Sequence, residues 1–138
     1  LNEAVLAAPA PVVLVAHSLG CILTAWWARH APPAVVGKVQ AALLVAPGDV
    51  EQADLRQHLP GWAPIARQRL PFAAVVVGSQ NDPYCRLARA QQLAADWGAQ
   101  WVDAGAAGHI NSASQLGDWP QGHALLQDLV KDSVHGKR

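Results

Sequence analysis

Three continuous runs of apolar residues and one shorter, mixed run recur along the chain. They cover Val12–Val15, Val39–Ala46, Ala73–Val77 and Gln100–Asp103. Runs that are continuous rather than alternating are typical of strands buried on both faces of a sheet. Segments with helical spacing of apolar residues lie between them. This alternation predicts an α/β fold with a mainly parallel sheet and helices on both faces.

Three longer helices are predicted between and after these strands. Ser18–His30 carries basic residues in its last turn, where positive charge suits the helix dipole, and prolines follow it. Pro83–Trp97 has apolar residues at helical spacing, with Pro83 in its first turn and a glycine directly after it. His123–Lys131 is the last helix. Segment 50–70, which prolines interrupt, is expected to form short helical pieces over one end of the sheet.

The sequence AHSLG follows the first strand and opens the next helix. A sharp strand-to-helix turn needs small residues on both sides of its central residue, and Ala16 and Gly20 supply them. Such a turn lifts the Ser18 hydroxyl clear of the sheet at a helix N-terminus. The Leu19 N–H would then point at an oxyanion formed by attack on a carbonyl group. Taken alone, Ser18 is also interpretable as an ordinary helix N-cap.

Two further polar residues follow other predicted strands. Asp82 comes after the third strand, and His109 comes after the fourth in a loop with flanking glycines. Each has an ordinary interpretation by itself, Asp82 as an N-cap before Pro83 and His109 as a surface histidine. Ligands of parallel sheets bind beyond the carboxyl ends of the strands, so these residues are expected to meet Ser18 there. The chain order serine, acid, histidine is that of the α/β-hydrolase triad and predicts a nucleophile, an acid and a base.

Three stretches carry a resemblance to a known family: VAHSLGC, VVVGSQNDPYC and GAAGHINSASQLGDWPQG. They resemble the small serine hydrolases related to retinoblastoma-binding protein 9 and to bacterial YdeN, within the α/β-hydrolase superfamily. The resemblance covers Val12 to about Gly122, and its second and third stretches are the more specific ones. It implies a three-layer α/β-hydrolase sandwich, with residues 1–138 as one domain. It also implies Ser18 as nucleophile, Asp82 as acid and His109 as base.

Two departures from the family pattern matter. Ser112–Leu116 differs from the serine-glycine-aromatic pattern expected there, which is expected to alter the pocket wall. The family also has further N-terminal strands and a glycine-containing loop that supplies a second oxyanion N–H. Without them the first strand becomes a sheet edge, and a chain that begins at Leu1 is expected to form a homodimer through that edge or to be inactive. Alternatively, the front part belongs to the native protein and is not in this chain.

Composition narrows the classes of function. Lys and Arg total 10 and Asp and Glu total 10, so no basic stripe indicates a nucleic-acid partner. No apolar run of about 18 residues predicts a membrane helix. Cys21 and Cys85 form neither a disulfide framework nor a zinc ligand set, are interpreted as small buried hydrophobes, and fit a reducing, cytoplasmic compartment. No metal or organic cofactor is expected.

Other histidines and tryptophans are weaker candidates for the site. His17 is expected to pack sideways beside Ser18, and His123 to belong to helix packing. Trp62, Asn111 and Trp119 are predicted to line the substrate pocket, although tryptophans are more often core residues.

The sequence thus predicts a small serine hydrolase that cleaves small-molecule esters through an acyl-enzyme intermediate. A thioesterase or amidase on the same triad is an alternative, because the sequence does not separate leaving groups. A binding protein with a vestigial site is the alternative from another class, suggested by the absent oxyanion loop.

Overall fold

The computed structural model describes residues 2–9, 11–111, 114 and 119–134. Its strands are β1 (Val12–His17), β2 (Val39–Val45), β3 (Ala73–Gly78) and β4 (Gln100–Asp103). Its α-helices are α1 (Asn2–Ala7), α2 (Leu19–His30), α3 (Pro33–Val36), α4 (Ala53–His58), α5 (Leu87–Trp97) and α6 (Pro120–Val134), and Pro60–Trp62 forms a short 3-10 helix.

The strands form one parallel sheet in which their spatial order is their order in the chain. β1 pairs with β2 from Val12 opposite Val39 to His17 opposite Val45, and β3 and β4 continue the sheet in the same direction. Two of the three continuous apolar runs correspond to the central strands β2 and β3, and every residue of β3 is buried. The third run, Val12–Val15, lies in β1, where no residue is fully buried, so the expectation of burial on both faces is wrong for this strand. Because all strands run the same way, the loops that follow them emerge at one edge of the sheet.

Helices cover both faces of this sheet and give three layers. The α2 and α5 helices pack on one face, where Trp97 and Leu93 are fully buried. The α6 helix packs on the other face over β2 and β3, with Leu129 buried. This confirms the predicted three-layer α/β architecture with a mainly parallel sheet. Within the described residues β1 pairs only with β2, and Val15 on its α6-side face is 61% exposed.

The starts of two helices differ from the prediction by more than one residue. The helix expected over Pro83–Trp97 begins at Leu87. The reason is local, since Asp82 Oδ1 accepts the Tyr84 N–H at 2.9 Å and holds these residues in a turn outside the helix. The last helix begins earlier than predicted, at Pro120, where the fixed φ of proline suits a first helical residue.

Segment 50–70 forms the short helical pieces that were predicted, and Glu51 ties it to α5. The Glu51 carboxylate accepts the Ile65 N–H at 2.9 Å, and it pairs with the guanidinium groups of Arg67 and Arg89. Burial raises the pKa of Glu51, but the Ile65 N–H and the two guanidinium groups outweigh burial and hold this pKa below its usual value.

Replacing Glu51 by glutamine should lower the free energy of unfolding at pH 7 by about 2 kcal/mol, because the charge-assisted hydrogen bonds are lost. A carboxyl group with a depressed folded-state pKa stabilises the fold above its unfolded pKa, and this contribution disappears as the pH falls through the folded value. The wild-type chain should therefore lose more stability than Glu51→Gln between about pH 5 and pH 3. Urea unfolding across this range measures the difference, with Glu3→Gln in α1 as the exposed control. Parallel pH dependences for the wild type and Glu51→Gln would contradict the assignment.

Candidate active site

Ser18 occupies a sharp turn between β1 and α2. Its φ of 57° and ψ of −118° lie outside the regions that a non-glycine residue ordinarily adopts. Its N–H donates to the Val45 carbonyl at 3.0 Å, and its own carbonyl accepts the Gly48 N–H at 3.3 Å. A Cβ on Gly20 would lie 3.5 Å from Ala16 Cβ, so small residues let the helix start this close to the strand. The strand-to-helix turn predicted from the sequence is present.

Ser18, Asp82 and His109 lie in one hydrogen-bonded chain. His109 Nε2 is 2.8 Å from Ser18 Oγ, and His109 Nδ1 is 3.0 Å and 2.9 Å from the two carboxylate oxygens of Asp82. The side chains of His109 and Asp82 are only 9% and 2% exposed. Because an ionised carboxylate only accepts hydrogen bonds, Nδ1 carries the proton and Nε2 is left to accept from the serine hydroxyl. This arrangement allows a serine hydroxyl to pass its proton to imidazole as its oxygen attacks a carbonyl carbon.

The loop that carries Asp82 also positions the loop that carries His109. Ser79 Oγ accepts the Ala107 N–H at 2.9 Å, and Asn81 Oδ1 accepts the Gly108 N–H at 2.7 Å. Gly108 has a φ of 61°, a conformation that glycine adopts without steric cost. Ser79 and Asn81, which precede Asp82 in the sequence, thus fix the position of the loop that carries His109.

The Leu19 N–H is suited to stabilise negative charge beside Ser18. Leu19 is the first residue of α2, so its N–H is among those that a helix leaves without an intrahelical acceptor. The helix dipole favours an anion at this position. The arrangement would therefore suit an oxyanion formed next to the Ser18 hydroxyl.

Gly48 borders the same space and is a site residue that the sequence analysis did not identify. A Cβ on Gly48 would lie 3.4 Å from Ser18 Oγ and 3.9 Å from the Leu19 nitrogen. The absence of a side chain therefore keeps the volume between hydroxyl and N–H open. A usable indication was available, because Gly48 lies in the loop that follows β2, at the sheet edge where the other site residues emerge.

Two aromatic rings flank His109. The His17 ring lies with its centroid 4.7 Å away, and the Tyr84 ring approaches edge-on at 4.7 Å. His17 Nε2 is also 2.8 Å from the backbone oxygen of His109. His17 thus packs beside Ser18 as expected, but its contact with the histidine loop is not evident from the sequence. The Asp82 turn, which brings Tyr84 back over the site, could have indicated the tyrosine.

The three predicted pocket residues have different surroundings. Trp62 lines a cavity of about 260 Å³ along the side of α2. Ser18, Asp82 and His109 are not among the described residues that line this cavity. Asn111 is exposed and bonds to Ser114 in its own loop, and Trp119 packs against the core on the α6 face. Ser112–Leu116, which is expected to alter the pocket wall, lies outside the described residues except for Ser114.

The remaining candidate nucleophiles and bases do not enter the site. Cys21 and Cys85 are buried and free, as predicted. Burial raises the pKa of the Cys21 thiol and raises that of Cys85 to about 12, so both remain protonated near neutral pH and are unsuited to nucleophilic attack. His123, expected to belong to helix packing, is instead exposed on α6, with its Nε2 3.2 Å from Gln127 Nε2.

Within the part of the chain that the structure describes, no cluster of three or more His, Cys, Asp or Glu side chains could hold a metal ion. None of the helices in this part combines the length and the apolar character needed to cross a bilayer.

Comparisons with known proteins agree with this geometry. Residues 1–128 match the sequence model of a family described as serine hydrolase. A YdeN-like hydrolase from Pectobacterium atrosepticum is 25% identical, with 96% of this chain and 66% of that chain covered and a TM-score of 0.80. A search of curated protein sequences gave no match.

Two solved structures at lower identity share the fold. The enol-lactonase of Burkholderia xenovorans is 14% identical over 86% of this chain and 65% of that chain, with a TM-score of 0.60. The butyrate-bound esterase Est2 of Thermogutta terrifontis is 14% identical over 87% of this chain and 55% of that chain, with a TM-score of 0.62. The chain therefore spans no more than 66% of the length of the solved relatives described here.

Proposed function

Since this chain belongs to the serine hydrolase family, we propose that it hydrolyses carboxylic esters of small molecules, with Ser18 as nucleophile, His109 as base and Asp82 as acid. The supporting observation is the 2.8 Å contact between Ser18 Oγ and His109 Nε2. Asp82 holds the opposite nitrogen of the same ring. Two proteins of the same fold are named as a lactonase and an esterase, and both names refer to ester bonds.

In the acylation half, His109 Nε2 takes the hydroxyl proton while Ser18 Oγ forms a bond to the ester carbonyl carbon. The carbonyl oxygen becomes an oxyanion that the Leu19 N–H stabilises. Asp82 stabilises the imidazolium and keeps the ring in its productive orientation. The proton then passes from Nε2 to the alcohol oxygen as the carbon–oxygen bond breaks, which leaves an acyl group on the serine.

In the deacylation half, the same groups act on water. His109 Nε2 takes a proton from a water molecule whose oxygen attacks the acyl carbon. Collapse of the second oxyanion returns the proton to Ser18 Oγ and releases the carboxylic acid. Every proton that moves is accepted and returned by the one imidazole, so the proton transfers need no second acid or base.

The acyl side of the substrate is proposed to be short. Gly48 leaves open space beside Ser18 Oγ, whereas the cavity at Trp62 opens along α2 and is not lined by Ser18 or His109. A substrate acyl chain that reached the cavity at Trp62 would have to extend from the reacting carbon along α2. Acetyl and butyryl esters are therefore expected to be better substrates than long-chain esters.

Labelling of the 138-residue chain with a fluorophosphonate tests the proposal. Mass spectrometry should locate the adduct on Ser18, and the label should disappear in His109→Ala. A matched set of p-nitrophenyl esters, thioesters and anilides then identifies the leaving group, with esters expected to react fastest. A folded chain that neither takes up the label nor turns over any member of the set would overturn the proposal, and faster thioester turnover would reassign the substrate class.

Replacing Gly48 by valine should lower kcat/KM for p-nitrophenyl acetate about 10- to 100-fold, because the added methyl groups displace the acyl group from its attack position. Gly61→Val is the matched control, since a Cβ at Gly61 meets nothing within 4 Å. Steady-state kinetics and thermal melting of both variants separate an effect on the site from one on folding. Unchanged kinetics in a folded Gly48→Val protein would show that the substrate does not use this space.

A further inference from the structure

We propose that His17 is a positioning residue that holds the His109 peptide in place, so that the imidazole of His109 reaches Ser18; this rests on the proposed function. His17 Nε2 lies 2.8 Å from the backbone oxygen of His109, across 92 positions of sequence. Only a ring nitrogen that carries a proton can donate to a carbonyl, so the neutral His17 ring is protonated on Nε2.

The alternation of β1 explains why His17 points toward this loop. Val12, Leu14 and Ala16 pack against the core on the α2 side. Since successive side chains of a strand face opposite ways, Val15 and His17 face the other side of the sheet. The α6 helix leaves that face of β1 uncovered, as the exposure of Val15 shows. The imidazole of His17 is therefore available to the histidine loop rather than enclosed in the core.

The peptide that His17 holds is a strained one. The His109 carbonyl belongs to the peptide bond before Ile110, whose φ is 52°. A β-branched residue is a conformational outlier at positive φ. Ile110 is also buried, at 8% exposed, in the cluster under α6. Rotation of this peptide would relieve the backbone of Ile110 but would turn the His109 carbonyl away. The bond from His17 opposes that rotation at the carbonyl, and the bond from the Ile110 N–H to the Ala107 carbonyl, at 3.1 Å, opposes it at the nitrogen.

The anchors of the histidine loop come from two sides. On the β3 side, Ser79 and Asn81 bind the N–H groups of Ala107 and Gly108. On the β1 side, His17 binds the carbonyl of His109. His109 thus follows directly after the residues held from the β3 side, and its own carbonyl is held from the β1 side. Loss of the His17 anchor should let His109 move while the rest of the loop stays bound.

Two variants of His17 separate a hydrogen bond from simple packing. His17→Gln keeps an N–H donor near the position of Nε2, whereas His17→Phe keeps a ring beside His109 but has no donor. We expect kcat for p-nitrophenyl acetate to fall about 10- to 100-fold in His17→Phe, since small displacements of catalytic groups have effects of this size. The Gln variant should stay within about threefold of wild type, and KM and the melting temperature should change little in both.

The same substitution at an exposed histidine, His58→Gln in α4, is the control and should leave kcat unchanged. Wild-type activity in His17→Phe would overturn the proposal, and so would equal losses in the Phe and Gln variants. Either result would leave the role of Ser18 untouched, because fluorophosphonate labelling of the wild type reports that role separately.

A spectroscopic measurement tests the positioning without turnover. At a pH where both imidazole rings are neutral, the ring ¹⁵N chemical shifts should show His17 protonated on Nε2 and His109 protonated on Nδ1. In His17→Phe the His109 ring resonances should shift or broaden, while those of the exposed His123 should not. A wild-type His17 protonated on Nδ1 would overturn the inference even if the chain hydrolysed esters. Failure of hydrolysis with the expected shifts would instead count only against the proposed function.

Discussion

Replacing Ser18 by alanine should lower kcat for p-nitrophenyl acetate about 10⁴- to 10⁶-fold, the largest effect expected of any substitution in this chain. The variant loses the oxygen that forms the acyl-enzyme, while the hydrogen bonds between His109 and Asp82 remain. Substrate binding should be nearly unchanged, because the Leu19 N–H and the space at Gly48 remain. Pre-steady-state kinetics with excess substrate should show no burst of p-nitrophenol, and fluorophosphonate should leave the protein unlabelled.

A second variant at the same position separates lost chemistry from lost folding. Ser18 has a φ of 57°, which alanine tolerates poorly and glycine tolerates well. Ser18→Gly should therefore be as inactive as Ser18→Ala but more stable to urea. If either folded variant kept more than about a hundredth of wild-type activity, the nucleophile would lie elsewhere, since loss of a true nucleophile has a far larger effect.

Replacing Asp82 by asparagine should lower kcat about 10⁴-fold with little change in structure. Asparagine has the same shape, and its side-chain oxygen can still accept the Tyr84 N–H. Its amide nitrogen, however, would donate to His109 Nδ1 and favour the tautomer with the proton on Nε2. That ring would donate to Ser18 Oγ instead of accepting its proton, so attack would stop.

Asp54→Asn, at an exposed carboxylate in α4, is the matched control and should retain full activity. The tautomer change is measurable by the ring ¹⁵N shifts of His109, and kinetics give the loss in kcat. A fully active Asp82→Asn would indicate that another carboxylate orients His109. Asp103 would then be the next residue to test, because it ends β4 at the same edge of the sheet.

The sheet and the meeting of Ser18, Asp82 and His109 at its edge could be predicted because both depend on simple periodic rules. Buried parallel strands are continuous apolar runs, and β2 and β3 show this directly. The ends of such strands meet at one edge, which places Ser18, Asp82 and His109 near one another. In the structure, hydrogen bonds join the three side chains.

Features that depend on individual side-chain contacts could not be predicted from these periodic rules. The start of α5 at Leu87 results from the hydrogen bond between Asp82 and Tyr84, which outweighs the preference of Pro83 for a first helical turn. The roles of His17 and Gly48 depend on contacts between residues far apart in sequence. The direction of Trp62 depends on how its loop packs against α2, which helical spacing does not specify.

The order of the strands has a consequence for how the candidate site assembles during folding. Each strand lies beside the one that precedes it in the chain, so the sheet can grow by successive additions as the polypeptide leaves the ribosome. The hydroxyl of Ser18 follows the first strand of this sheet and the imidazole of His109 follows the last, 91 positions later. The histidine loop must therefore cross the ends of the two central strands before the reacting groups touch. Under the proposed function, activity would then arise only after β4 has docked, whereas helices α2 and α5 can form before that step.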